Sequence, residues 1–106
     1  MTRVYRVEFL GFPGCPNTPE LRNNLRAALA DLGSPEFLDT DQSALPESDP
    51  RRGWPAPTIL VDGRDLFGMP APESASMGCR MYHDGVPSEA KILASLEAAG
   101  VVRREQ

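Results

Sequence analysis

The stretch Trp54-Pro55-Ala56-Pro57-Thr58-Ile59-Leu60-Val61-Asp62-Gly63 decides the fold class. Thr58 to Val61 is apolar and rich in β-branched residues, and Asp62-Gly63 is the dipeptide that a tight turn after a strand prefers, so this segment predicts a strand and a turn. Pro57 stands directly before the strand. Proline has no N–H to give to a sheet ladder, so it belongs at a strand's start or in a special turn. A cis Ala56–Pro57 bond would account for that placement, although cis is the minor isomer at X-Pro bonds in general. Trp54 has two readings, as an aromatic lining of a groove or as an anchor for a satellite of the core.

Working outward, Val4 to Leu10 alternates, with Tyr5, Val7 and Phe9 on one side and Arg6 and Glu8 on the other, which predicts a strand ending at Gly11. From Pro19 to Leu32 the residues Leu21, Leu25, Ala28, Leu29 and Leu32 fall at helical spacing, and Gly33 follows as a stop. Cys15-Pro16 and Thr18-Pro19 both offer a cap followed by proline at the first helical position, and either start places Cys15 close to the helix's amino end. Glu36 to Asp39 predicts a short second strand. Asp39 to Pro57 reads as a long irregular connection, in which Pro46 and Pro50 leave room for one helical turn at most, at Gln42 to Leu45. Downstream, Cys79 to Tyr82 predicts a fourth strand with Cys79 and Met81 on one face. Ser88 caps a last helix striped by Ile92, Leu93, Leu96 and Ala99 and ended by Gly100. The alternation predicts an α/β domain over residues 1–106, a small mixed four-stranded sheet flanked by helices.

Composition narrows the function classes. The 106 residues carry a net charge of −4, so neutralisation of nucleic-acid phosphates is not expected. No apolar run approaches the ~18 residues of a membrane span, and no membrane partner is expected. Two cysteines are too few for a disulfide-stapled secreted scaffold, and the start MTRVYRVEF lacks a signal peptide's apolar core, which together predict a cytoplasmic location. Phosphate-binding glycine motifs and a Ser/His/Asp hydrolase motif are absent from the sequence. Asp62 and Asp65 read as turn formers, and Arg51-Arg52 and Arg103-Arg104 as solvated pairs. Cys79 and His83 alone are too few to make a zinc site, so no metal site is assigned.

The chemistry concentrates at Gly14-Cys15-Pro16-Asn17-Thr18, at the junction of a strand and a helix. A thiol at a helix's amino end meets unpaired backbone N–H groups and the positive end of the macrodipole, which favour thiolate and bring its pKa below the free value of about 8.5. Cys79 reads first as a packed core thiol beside Met81, and second as a further reactive sulfur.

A strand, a Cys at a helix start, a Pro-Thr opening an apolar strand that ends at Asp-Gly, and a closing helix together resemble the thioredoxin and glutaredoxin superfamily. Cys15-Pro16-Asn17-Thr18 is similar to its CxxC motif, and Ala56 to Gly63 to its cis-proline strand and hairpin. The resemblance implies a thioredoxin-like fold and thiol–disulfide exchange, with Cys15 as the nucleophile, Pro57 as the cis-proline beside it, and the backbone of Ala56 free to pair with an extended thiol substrate. It implies substrate contacts at Pro16, Trp54, Ala56, Pro57 and Thr58. The substrate would be a thiol or disulfide, either a small molecule or a protein.

Threonine at position 18 departs from the dithiol pattern, so two routes of resolution stay open. In one, the chain works as a monothiol and glutathione or another small thiol, with no bound cofactor, releases the mixed disulfide. In the other, Cys79 supplies the second sulfur. The lysine that glutaredoxins carry just before the active-site Cys is absent, which weighs against glutathione. A narrower resemblance, on Gly14-Cys15-Pro16-Asn17, Pro57 to Gly63 and Cys79-Arg80-x-Tyr82 followed by Gly85-x-Pro87-Ser88, is to small bacterial thioredoxin-like proteins sometimes labelled alkylmercury-lyase-like. It implies thiol affinity for soft metals. The alternative to an exchange enzyme is therefore a thioredoxin-fold module that binds a soft metal or a partner protein.

Overall fold

The computed structural model describes residues 6–12, 14–33, 36–72, 78–82 and 84–101. The chain runs β1 (Val7–Gly11), α1 (Asn17–Asp31), β2 (Leu38–Asp41), two short 3-10 turns (Gln42–Ala44 and Pro50–Gly53), β3 (Thr58–Val61), β4 (Arg64–Asp65) and α2 (Glu89–Ala98). The four strands form one mixed sheet in the order β2-β1-β3-β4. β1 lies parallel to β2, with Phe9 opposite Asp39, and antiparallel to β3, with Phe9 opposite Ile59. β3 and β4 are antiparallel.

Both helices cover the same face of the sheet. Val7 and Phe9 of β1 and Ile59 and Val61 of β3 pack with Leu21, Leu25, Ala28 and Leu29 of α1 and with Ile92 and Leu96 of α2. Leu10, Trp54 and Leu60 form a second, smaller cluster with Met69 on the opposite face. That face carries Trp54 of the connection, whose only helical pieces are the two short 3-10 turns, because Pro46, Pro50, Pro55 and Pro57 leave no room for an α-helix in it. The expectation of helices flanking the sheet is corrected to helices on one side.

Several other expectations shift. β2 lies two residues later than predicted, and β1 begins within the described residues at Val7, while Val4 and Tyr5 lie outside them. The polar side of β1 does not face water. Glu8 is 5% exposed, where it accepts hydrogen bonds from Thr40 Oγ1 at 2.6 Å and Arg51 Nη1 at 2.8 Å. A carboxylate buried under the connection needs such a partner, so Arg51 is an ion-pair residue and not a solvated one. Arg51 also grips Asp49 at 2.7 Å and holds that carboxyl down at about 2.

The fourth strand is Arg64–Asp65, formed directly after the Asp62-Gly63 turn, and not Cys79 to Tyr82. Cys79 makes only an isolated parallel bridge with Ala56. Met81 is 81% exposed, so the predicted buried face shared by Cys79 and Met81 does not form. α2 starts as expected, with Ser88 Oγ accepting from Lys91 N at 3.2 Å. Gly33 and Gly100 end their helices at φ +76° and +93°. His83, Arg103 and Arg104 lie outside the described residues. Among those residues, no helix is long and apolar enough to cross a membrane.

Candidate active site

Cys15 occupies the turn between β1 and α1. Gly14 before it has φ +96°, a conformation that L side chains rarely adopt, which is why glycine precedes the cysteine. Pro16 follows with helical dihedrals, φ −66° and ψ −19°, and Thr18 N donates to Cys15 O at 3.2 Å. Neither predicted cap forms: α1 begins at Asn17 with Pro16 in the cap position and no side-chain cap, one residue after the Cys15-Pro16 start. The close approach of strand and helix depends on Gly11, where a Cβ would meet Thr18 Cγ2 at 2.9 Å.

The structure joins Cys15 and Cys79 in a disulfide, with Cα atoms 5.7 Å apart and a separation of 64 positions in sequence. The separation is typical of a disulfide. The two halves differ in exposure, with Cys15 at 5% and Cys79 on the exposed surface. Cys15 Sγ lies 3.7 Å from the carbonyl oxygen of Ala56. In the disulfide this is a contact only, since the sulfur bears no proton; a thiol there has one to donate.

The Ala56–Pro57 peptide bond is cis. Ala56 is fully buried, and its backbone is already in use: Ala56 N donates to Gly78 O at 2.8 Å and Arg80 N donates to Ala56 O at 2.6 Å. The expected vacancy for an extended substrate is therefore filled by the chain's own residues 78–80, the segment that carries Cys79. Thr58 also turns inward. Its Oγ1 donates to Pro55 O at 2.5 Å and accepts from Arg80 Nη1 at 3.1 Å.

Of the other predicted substrate contacts, Pro16 is exposed at the head of α1, while Trp54 is 6% exposed and packs into the second cluster with Leu10 and Leu60. Trp54 is thus an anchor and not a groove lining at the sulfurs. The space beside Cys15 is a cleft of about 420 Å³, lined by Phe12, Thr18, Arg22, Asp39 and Asp41 among others. Arg22 Nε pairs with Asp39 at 3.1 Å. Thr18 Oγ1 is buried there without a hydrogen-bond partner.

The chain matches no protein-family model, no curated protein and no solved structure.

Residues after Cys79 complete the site. Arg80, whose side chain is 8% exposed, pairs with the fully buried carboxylate of Asp65, Nη1 to Oδ1 at 2.5 Å and Nη2 to Oδ2 at 3.3 Å. Its guanidinium carbon sits 4.4 Å from the centre of the Tyr82 ring. Tyr82 donates its hydroxyl to Pro57 O at 2.7 Å, and burial pushes that phenol up to about 12. The reading of Asp65 as a plain turn former is corrected: it accepts from Phe67 N and Met69 N, as a turn residue does, and it also neutralises Arg80. Among the described residues no group of three or more His, Cys, Asp or Glu side chains gathers around one point.

Proposed function

We propose that this chain is a thiol–disulfide redox protein whose working pair is Cys15 and Cys79, on a fold read as thioredoxin-like. The observation that carries the reading is the bond between a cysteine at the head of a 15-residue helix and a cysteine on the exposed surface beside the cis-proline turn. Of the two routes of resolution, this pairing favours an internal second sulfur over release by a small thiol; exposure makes Cys79 the sulfur that bonds to substrate and Cys15 the one that resolves, the reverse of the roles expected from the sequence.

The chemistry follows from which sulfur is reachable. An incoming thiolate attacks Cys79, the exposed partner, along the axis of the S–S bond. That bond breaks and its electron pair passes to Cys15, which leaves as a thiolate at the amino end of α1, where the helix favours negative charge. A second thiolate then attacks the sulfur now attached to Cys79. The products are the reduced protein and an oxidised substrate disulfide, with two electrons transferred in all. In a reducing compartment such as the cytoplasm the cycle would run the other way, with an oxidised substrate closing the Cys15–Cys79 bond.

The test is to expose the oxidised native protein to a limiting small thiol, alkylate within seconds and locate the products by peptide mass. The expected result is a mixed disulfide on Cys79 with alkylated Cys15. A bond that thiols open only after the protein is unfolded would mark a structural staple and overturn the reading.

A further inference from the structure

Resting on that pairing, we infer that Arg80 and Asp65 are positioning residues which set the redox poise of the site, by holding Cys79 against Cys15 whether or not the two sulfurs are bonded. Among the described residues Cys79 belongs to no strand, and the backbone pairing at its position is an isolated bridge with Ala56. Three sets of contacts do so instead. The backbone of Ala56 is clasped by Gly78 O and Arg80 N. The Arg80 guanidinium reaches both oxygens of Asp65 and the hydroxyl of Thr58. Tyr82, stacked under that guanidinium, bonds to Pro57 O. Asp65 is itself immobilised, because its Oδ2 accepts from Phe67 N at 2.9 Å and Met69 N at 3.0 Å.

None of these contacts uses a sulfur atom, so opening the disulfide removes none of them. A buried ion pair adds little net stability, since desolvation offsets most of its attraction, but it fixes geometry because neither charge tolerates losing the other. Here the fixed geometry lies one residue from Cys79. On a slack tether after β4, Cys79 would meet Cys15 at an effective concentration on the order of millimolar, as flexible linkers give. Held groups at near-bonding distance reach values many orders higher. The balance concerned is protein disulfide plus two glutathione thiols against protein dithiol plus glutathione disulfide. Two electrons pass from glutathione to the protein bond, and a held Cys79 shifts the balance toward the closed bond.

The full chain is equilibrated in glutathione redox buffers, quenched by alkylation, and its oxidised fraction is read by mass. The key variant is the double change Arg80→Met with Asp65→Asn, which removes both charges together and keeps a side-chain oxygen for the Phe67 and Met69 N–H groups. The expected result is at least a tenfold fall in effective concentration, a potential about 30 mV less negative than wild type. In parallel, amide hydrogen exchange at Arg80 is followed in the reduced wild-type protein, where protection is expected to persist. An unchanged equilibrium in a folded double variant, or loss of Arg80 protection on reduction of the wild type, overturns the inference. If the double variant does not fold, the amide measurement decides. If glutathione never opens the native bond, the redox reading falls by itself. Exchange at Arg80 in protein reduced in denaturant and refolded then still decides the positioning.

Discussion

Cys15 and Cys79 contribute equally to one bond from unlike seats. Cys15 sits where a fully buried strand turns into the longest helix of the chain, and backbone hydrogen bonds with helix packing fix it. Cys79 sits in a segment with a single isolated bridge, and side chains fix it: Arg80 on Asp65, Tyr82 on Pro57. The first seat is made from neighbours in sequence. The second is made from groups 15 to 25 residues distant, and so it depends on individual side chains in a way the first does not. A change at one side chain should therefore disturb Cys79 more than Cys15.

The largest effect expected from this contrast comes from Arg80→Leu. It leaves the Asp65 carboxylate buried without its cation, and breaking a buried pair on one side costs about 3 to 5 kcal/mol. Urea unfolding of the reduced protein, where the disulfide cannot mask the loss, reads it. A loss below about 1 kcal/mol would show that the Cys79 seat does not depend on this pair.

Next comes alkaline pH. The folded-state pKa of Tyr82, about 12, lies above the ordinary phenol value of 10.0, so burial of the neutral phenol adds stability that is complete below pH 10 and fades as pH rises toward 12. Two units correspond to roughly 2 to 3 kcal/mol at most. Tyrosinate absorbance with Tyr5→Phe as background should rise near the unfolding transition, and Tyr82→Phe should flatten the alkaline limb.

The smallest effect is expected on the Cys15 side. Gly11→Ala places a methyl 2.9 Å from Thr18 Cγ2 and 3.2 Å from Phe9 Cε2, and relief requires Thr18 to turn about χ1 or the head of α1 to move away. The cost should be ~1 to 2 kcal/mol, toward the low end for over-packing. Its denaturation midpoint should fall while the Arg80 amide keeps its protection. If that amide is exposed as well, the two seats are mechanically one.

The sequence was most informative where structure is local. The period of α1, the Thr58 to Val61 strand with its Asp62-Gly63 turn and the Ser88 cap each depend on residues within about one turn or one hairpin. The short range also explains what was missed. Glu8 looks like a surface residue until Arg51, 43 positions later, reaches it. Asp65 and Arg80 each look like ordinary polar positions, and only the folded chain brings them together. β4 was hidden by its two-residue length, too short for any alternation to register. The candidate site divides the same way. Cys15 was legible from its Gly-Cys-Pro setting, whereas the seat of Cys79 is tertiary throughout, and Ala56, expected to be open to a substrate, is closed by it.

The edges of the sheet bear on how molecules of this protein meet each other. An edge strand with unpaired backbone groups is a template for a second chain. At one edge, β2 presents Leu38-Asp39-Thr40-Asp41, in which two carboxylates bracket the threonine; at the other, β4 has only two residues. One edge is charged and the other too short to extend, so neither invites a neighbouring chain to add a strand. The charged edge owes that to its aspartates. In a variant with Asp39→Asn and Asp41→Asn, which carries neither charge, β2 is the strand through which self-association should begin.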